Sequence, residues 1–276
     1  MKTISEKIKA LRLSKRLTQN GLAEALSVSV QTVSKWENGI SSPDISLLPC
    51  IARFFGISID ELFGYRLEAL NQKERLIRFL YDNGMLRFGE FKLKSGRISP
   101  YLIQGVHYHN SSQIAKLGEF YADALRDNCL ENSCLVSAGA REAPLAVSAA
   151  IALYNKYGCD TPCCTETKLL SEKALNVNTV IITDTFTSGK TLCEALQRIK
   201  NAAGKYPTDA IVCVDRNERT DNTFLTARHE TEKAFGLKIH SMVNAQDIIN
   251  SIERSVIPAI AYLDALRKYT EEYKGE

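Results

Sequence analysis

Ile181-Ile182-Thr183-Asp184-Thr185-Phe186-Thr187-Ser188-Gly189-Lys190-Thr191 reads as an apolar strand that ends in an acid, followed by a turn of small hydroxyl residues that opens a helix. Backbone N–H groups at a helix N-terminus point outward without intrahelical partners, and the helix dipole adds partial positive charge there. Such a turn is suited to holding a phosphate: Thr187, Ser188 and Thr191 supply hydroxyl donors, and Gly189 lets the backbone approach closely. Asp184 stands where a ribose hydroxyl or a Mg²⁺-bound water could be met. Plain N-capping would produce the same local pattern, so both readings stand until the flanking sequence is considered.

The 276 residues suffice for one large domain or two smaller ones, and 45% hydrophobic with 24% charged residues is ordinary globular composition. No apolar run reaches the roughly 18 to 20 residues of a spanning helix, and the start lacks the apolar core of an export signal, so a cytoplasmic location away from membranes is expected. The eight cysteines lie mostly in apolar segments and read as buried thiols of a reducing compartment. Neither they nor the four histidines, His107 and His109 among them, have ligand spacing, so no metal site is expected. A net charge of +3 is too small to point to nucleic acid by itself.

The N-terminal pattern points to nucleic acid instead. Between Ile4 and Phe63 apolar residues recur at helical spacing in five short blocks, with Thr18, Ser29 and Asp44 placed to cap the second, third and fourth helices and Gly39 and Gly56 placed to end helices. Only Ser27-Val28-Ser29 separates the second helix from the third, which forces a steep crossing. The segments Leu17-Thr18-Gln19, Gln31-Thr32-Val33-Ser34-Lys35-Trp36-Glu37-Asn38-Gly39 and Phe55-Gly56-Ile57-Ser58-Ile59-Asp60-Glu61-Leu62 resemble the lambda-repressor-like, or XRE-type, helix-turn-helix domain. The resemblance implies that the third helix enters the major groove of an operator in double-stranded DNA. Gln31, Thr32, Ser34 and Lys35 would then meet bases and phosphates, and Gln19 would anchor to the backbone. Gly21 within the second helix and Val30 at the start of the third depart from the usual pattern.

Beyond Gly64 the pattern changes. An amphipathic helix is expected over 67–83, then strands and helices alternate: a strand ending at Ala138, a helix over 142–157, a strand over 179–183, a helix over 189–203, and strands over 210–214 and 238–243. Alternation of this kind predicts an α/β unit with a central parallel sheet flanked by helices, with ligands at the carboxyl ends of the strands. The expected division is residues 1–64, a small all-α five-helix DNA-binding domain, and residues 65–276, with a linker over 64–70. Leu86 to Tyr101, Thr183 to Thr191, Val214 to Arg219 and Tyr262 to Tyr269 resemble the orotate phosphoribosyltransferases, which have the type I phosphoribosyltransferase fold. The resemblance implies that Asp184, Thr187, Ser188, Gly189, Lys190 and Thr191 bind ribose and phosphate. It further implies that Lys94, Leu102, Ile103 and Arg216 hold the pyrimidine and that Arg141 lies on the pyrophosphate side. The duller alternative for Arg216 and Arg219 is pairing with Asp215 and Glu218.

Departures from that family carry the functional expectation. Thr183 replaces the first of two adjacent acids, leaving Asp184. The piece over 165–178, where the enzymes have a mobile catalytic loop, holds Lys168 and Lys173 but no Arg, His or Gly. Glu142 stands on the pyrophosphate side, where a carboxylate repels the leaving group. The features that bind survive and those that drive chemistry are damaged. The expected protein is therefore a homodimeric transcriptional regulator that senses orotidine monophosphate, a related nucleotide, orotate or PRPP, with no cofactor needed for sensing. The alternative is an active orotate phosphoribosyltransferase, using Mg²⁺, with Asp184 in its catalytic centre and a fused autoregulatory domain.

Overall fold

The computed structural model describes residues 4–63, 70–93, 96–104, 108–164, 178–220 and 224–275, the side chains of 60 and 61 apart. The expected linker over 64–69, Lys94, His107 and the piece over 165–177 with Lys168 and Lys173 lie outside the described residues. Contacts divide the chain into two units, residues 1–70 and 71–276.

The first unit consists of helices α1 (Ile4–Ser14), α2 (Gln19–Ala25), α3 (Val30–Glu37), α4 (Leu48–Phe55) and α5 (Ile59–Leu62). The caps follow the sequence: Thr18 accepts from the Gly21 N–H, Ser29 from the Thr32 N–H, and Gly56 ends α4 in the left-handed region. Asp44 caps a 3₁₀ turn, Ile45–Leu47, that leads into α4. Gly21 is tolerated because it lies at the first turn of α2, where its N–H is already taken by Thr18. Ile8, Leu22, Val33, Trp36, Ile51 and Leu62 form one apolar core. Across it runs a buried ion pair that the pattern of apolar residues did not announce. The Arg12 guanidinium grips Glu37 with Nε at 2.6 Å and Nη2 at 2.9 Å, and donates to the Leu17 carbonyl at 2.7 Å, while the Gln19 amide donates to Glu37 at 2.9 Å. Helices α1 and α3 and the start of α2 are thereby fixed to one another. Burial pushes the Glu37 carboxyl upward, but hydrogen bonds from Arg12 and Gln19 reverse this and leave it below the usual carboxylate range.

The second unit opens with α6 (Gln72–Asp82), which begins later than its apolar pattern promised because Asn71 and Glu74 close a capping box there. A two-stranded antiparallel ribbon follows, β1 (Leu86–Lys92) with β2 (Ile98–Ile103). The chain then passes through α7 (Ser111–Asp127), β3 (Cys134–Ser137), α8 (Ala143–Tyr157), β4 (Cys163–Cys164) and β5 (Thr179–Phe186). It continues through α9 (Lys190–Ala203), β6 (Asp209–Asp215), α10 (Ala227–Phe235), β7 (Lys238–Asn244), α11 (Ala245–Glu253) and α12 (Leu263–Tyr273). The five-stranded sheet has order β4-β3-β5-β6-β7 and is parallel throughout. One face, carrying Val136, Ile181, Ala210 and Val212, packs on Leu192, Ala195, Leu196 and Ile199 of α9 and Ala227 of α10. Helices α7 and α8 lie against the sheet as well as each other, so closely that a Cβ on Gly118 would come within 2.5 Å of the Ser148 carbonyl oxygen.

The expectation of buried thiols is corrected. Cys134 and Cys213 are buried, whereas Cys50 and Cys129 are exposed, because each of those two sits at the end or on the outer face of a helix rather than within a strand. Strand β5 also runs two residues beyond Asp184, so Thr185 and Phe186 belong to the strand rather than to the turn.

Trp36 is the sole tryptophan and lies next to Glu37, so its fluorescence reports the first unit. Glu37→Ala, which leaves Arg12 buried without its partner, is expected to destabilise that unit by about 3–5 kcal/mol in denaturant titration, and the double change Arg12→Met with Glu37→Leu to recover most of it. The folded-state Glu37 carboxyl sits below its unfolded value. Its contribution is therefore complete above the unfolded value and is lost as pH falls through the folded one; equal destabilisation of wild type and Glu37→Gln in that window would refute it.

Candidate functional site

Between β3 and β5 the chain departs in opposite directions. From β3 it crosses by α8 to β4 on one side, and from β5 it crosses by α9 to β6 on the other. Right-handed crossovers then place α8 and α9 on opposite faces and leave a crevice beyond the carboxyl ends of β3 and β5. One wall is the turn over 138–142 and the other is Thr187-Ser188-Gly189. Arg198 of α9 donates to the Ala138 carbonyl and ties the base of the first wall to the second.

On the α9 wall, Thr187, Ser188, Lys190 and Thr191 are exposed and Gly189 is buried. Gly189 is the N-cap of α9, with φ +73° and no side chain to cap the helix, so the first-turn N–H groups keep their donor capacity. Only glycine fits: a Cβ there would stand 2.9 Å from Thr231 Oγ1 and 3.1 Å from Phe186 Cζ. Asp184 is half-buried on β5, and its carboxylate accepts from the Thr185 N–H at 2.6 Å. Thr183 is 3% exposed and by strand alternation turns to the other face, while its carbonyl accepts from Tyr121 Oη at 2.6 Å. Among the described residues no group of three or more His, Cys, Asp or Glu side chains is placed to hold a metal ion.

On the α8 wall, Arg141 is exposed and Glu142 is 6% exposed. Burial first, and then the charge of Asp184, raises the Glu142 carboxyl above the usual range, against weaker opposing pulls from Arg141 and Arg198. Tyr108 and Tyr121 are also raised, each mainly by burial and in part by Glu142.

The pyrimidine-side residues come together beside β6. The Arg216 N–H donates to the Phe186 carbonyl at 3.1 Å, one strand over from the phosphate turn. Its guanidinium is 3% exposed: Nε meets Glu218 at 2.6 Å, Nη2 meets Ser99 Oγ at 2.9 Å and Tyr269 Oη at 3.3 Å, and the Tyr101 ring lies 4.1 Å away. Pairing with Glu218 is thus the arrangement in this structure. Glu218 comes within reach because Asn217, at φ 53°, reverses the chain and is held there by Asp215. Arg97 reaches the same Glu218 at 3.3 Å. Leu102 is half-buried and Ile103 buried on β2, whose single ladder to β1 leaves its outer edge unpaired within this ribbon.

Residues 8–62 match the helix-turn-helix family. The rest is 33% identical over 210 residues to an orotate phosphoribosyltransferase of Haemophilus ducreyi, covering 73% of this chain and 97% of that protein. An orotate phosphoribosyltransferase of Pseudomonas fluorescens is 33% identical over 207 residues, covering 71% and 95%. The chain belongs to the orotate phosphoribosyltransferase family. Its fold agrees: the crystal structure of the Francisella tularensis orotate phosphoribosyltransferase matches with a TM-score of 0.61 at 22% identity, covering 73% of this chain and all of that one. The expected fused architecture, a helix-turn-helix domain joined to a phosphoribosyltransferase-type α/β domain, is therefore present.

In the helix-turn-helix domain of this family member, Val33, Trp36 and Glu37 face the core and the opposite side of α3 is open. Gln31 and Lys35 are exposed one turn apart, while Thr32 and Ser34 are half-buried. Thr32 shares a hydrogen bond with Ser29 at 2.8 Å, so its hydroxyl is partly used in the cap. Gln19, expected to anchor DNA, spends one amide hydrogen on Glu37 and keeps the other. Val30, at the start of α3 beside Gln31, is 38% exposed.

Gly189→Ala is expected to cost about 1–3 kcal/mol of stability in the second unit, from a left-handed backbone and the contact with Thr231, and to abolish phosphate binding. An unchanged unfolding midpoint together with unchanged phosphate affinity would contradict the geometry of the turn.

Proposed function

We propose that this chain is a DNA-binding transcriptional regulator in which the phosphoribosyltransferase-type domain serves as receptor for a phosphorylated pyrimidine, orotidine 5′-monophosphate above all. The observation that carries this reading is the asymmetry of the crevice: both helix starts lack a side-chain cap bond, but the α9 wall has exposed hydroxyls around Gly189, whereas the α8 wall has the buried acid Glu142 at its cap position. The 5′-phosphate would rest on Thr187 to Thr191 and the ribose near Asp184. The base would lie beside Leu102 and Ile103, with Arg216 reaching it once its Glu218 network opens. Lys94 belongs to the same proposal. Sensing needs no cofactor, because binding alone shifts a two-state equilibrium when the ligand prefers one state.

The DNA contacts proposed are Gln31 and Lys35 foremost, then Thr32, Ser34 and Gln19. Helix-turn-helix units read half-sites about 34 Å apart, which favours a homodimer. An apolar stripe on α8, with Val147, Ile151 and Tyr154 each well exposed, borders an α7–α8 groove of about 410 Å³ and offers surface for a second copy.

A second reading, an active orotate phosphoribosyltransferase with a fused regulatory domain, is favoured by similarity that spans nearly the full length of the named enzymes. The two separate cleanly. Orotate mixed with Mg²⁺-PRPP and the purified chain is expected to give a flat orotate absorbance trace; turnover that disappears on Asp184→Asn would install the enzyme reading instead.

For the regulator, calorimetric titration is expected to detect orotidine 5′-monophosphate, and its addition to change operator affinity in a gel-shift assay. Constant affinity across saturating ligand would remove the sensor. Lys35→Ala is expected to weaken all DNA sequences alike and reduce the salt slope by about 1, whereas Gln31→Ala costs about 1–3 kcal/mol on the operator and relaxes base preference.

A further inference from the structure

Five carboxylates are buried among the described residues, those of Glu37, Glu74, Glu142, Asp215 and Glu218, and Glu74 and Asp215 have arginine partners in Arg254 and Arg228. Glu37 is gripped by Arg12 and Gln19, and Glu218 by Arg216, Arg97 and the Tyr269 hydroxyl. Glu142 differs. Among the described residues no arginine or lysine forms an ion pair with it, and the charge that acts on it most strongly is the like charge of Asp184. A buried acid in that setting is costly to keep unless its position has a use.

Its position is the start of α8. Glu142 is the N-cap residue of that helix, yet its side chain makes no capping bond to the first turn. Instead the carboxylate folds back over the turn, so that Oε2 would lie 2.8 Å from a Cβ on Gly139, whose carbonyl accepts the Glu142 N–H at 3.2 Å. Two helices thus begin on the two walls of one crevice. Neither start has a side-chain cap bond, but Gly189 leaves the α9 start bare, while at the α8 start the buried Glu142 carboxylate lies over the turn and Pro144 removes one first-turn N–H.

We propose that Glu142 is a specificity-determining residue, a built-in plug that fills the anion position at the start of α8, so that the crevice accepts a single phosphate at α9 and rejects ligands carrying a diphosphate against the other wall. This rests on the crevice being a phosphate site, as in the reading above, and deepens it: the ligand class becomes the monophosphates, and a sugar bearing a diphosphate is excluded. Exclusion has two components. The carboxylate occupies the space over Gly139, and together with Asp184 it presents negative charge to a group that itself carries two or more negative charges at neutral pH. Arg141 is exposed on the same turn and Arg198 is committed to the Ala138 carbonyl, so neither forms an ion pair with Glu142.

The experiment uses the full chain with inorganic phosphate and inorganic pyrophosphate as probes, titrated calorimetrically into wild type, Glu142→Gln and Glu142→Gly. Pyrophosphate is expected to bind the glycine variant about tenfold or more tighter than wild type, the glutamine variant in between, and phosphate to bind all three within about threefold. Glutamine keeps the shape and loses the charge, so it holds the test open should glycine unsettle the turn; pyrophosphate affinity equal in all folded forms overturns the plug. Orotidine 5′-monophosphate is titrated in parallel to separate the two ideas. If it binds while pyrophosphate ignores Glu142, the plug falls and the sensor stands. If pyrophosphate responds to Glu142 while the nucleotide binds no form, the sensor falls and the plug stands.

Discussion

The divergence of two neighbouring parallel strands governs the larger unit. Because β3 and β5 lie side by side but send the chain to opposite edges of the sheet, no crossover covers the gap beyond their carboxyl ends. Helices α8 and α9 both start there, each with its positive end toward the gap. The apolar packing of Leu192, Ala195, Leu196 and Ile199 against the sheet fixes the axis of α9, so the direction of its N–H groups is set by a rigid core rather than by the turn itself. The tight contacts around Gly189 complete this constraint, since a Cβ there would press on Thr231 and Phe186 and strain a left-handed backbone.

Charge is then distributed against that frame in two ways. Arginines satisfy buried acids where the chain needs rigidity: Arg12 and Glu37 lock three helices of the first unit, and Arg216 and Arg97 converge on Glu218, joining β2, the segment after β6 and α12 through Ser99 and Tyr269. Such pairs specify an arrangement more than they add stability, because each charge has lost its water and must be repaid by geometry. Glu142 is held differently: burial first, and then the like charge of Asp184, raises its carboxyl above the usual range.

Much of this was legible along the chain. Helix-period apolar spacing predicted the five short helices of the first unit, and Thr18, Ser29 and Gly56 stand at the ends expected of them, because caps are local events decided by a few neighbouring atoms; Asp44 caps a 3₁₀ turn ahead of α4 instead of α4 itself. Alternating apolar runs and helical patterns predicted the parallel sheet, and the Thr-Ser-Gly turn predicted the start of α9 for the same reason. The ends of β5 and the start of α6 were less legible, since a strand continues as long as β6 pairs with it and a helix starts wherever a capping box closes.

What the sequence by itself determined, then, was the identity of the elements and the residue types at their ends: a helix-turn-helix, a parallel α/β unit, and a phosphate-shaped turn. The tertiary structure alone decided which charges meet. Arg12 and Glu37 are 25 residues apart, Arg97 and Glu218 are 121 apart, and Glu142 lies opposite Asp184 only because β3 and β5 are adjacent in the sheet. Periodicity reports which face a residue occupies. Coulomb energy depends on distance through space and on the water excluded between the groups, and neither quantity is written along the chain.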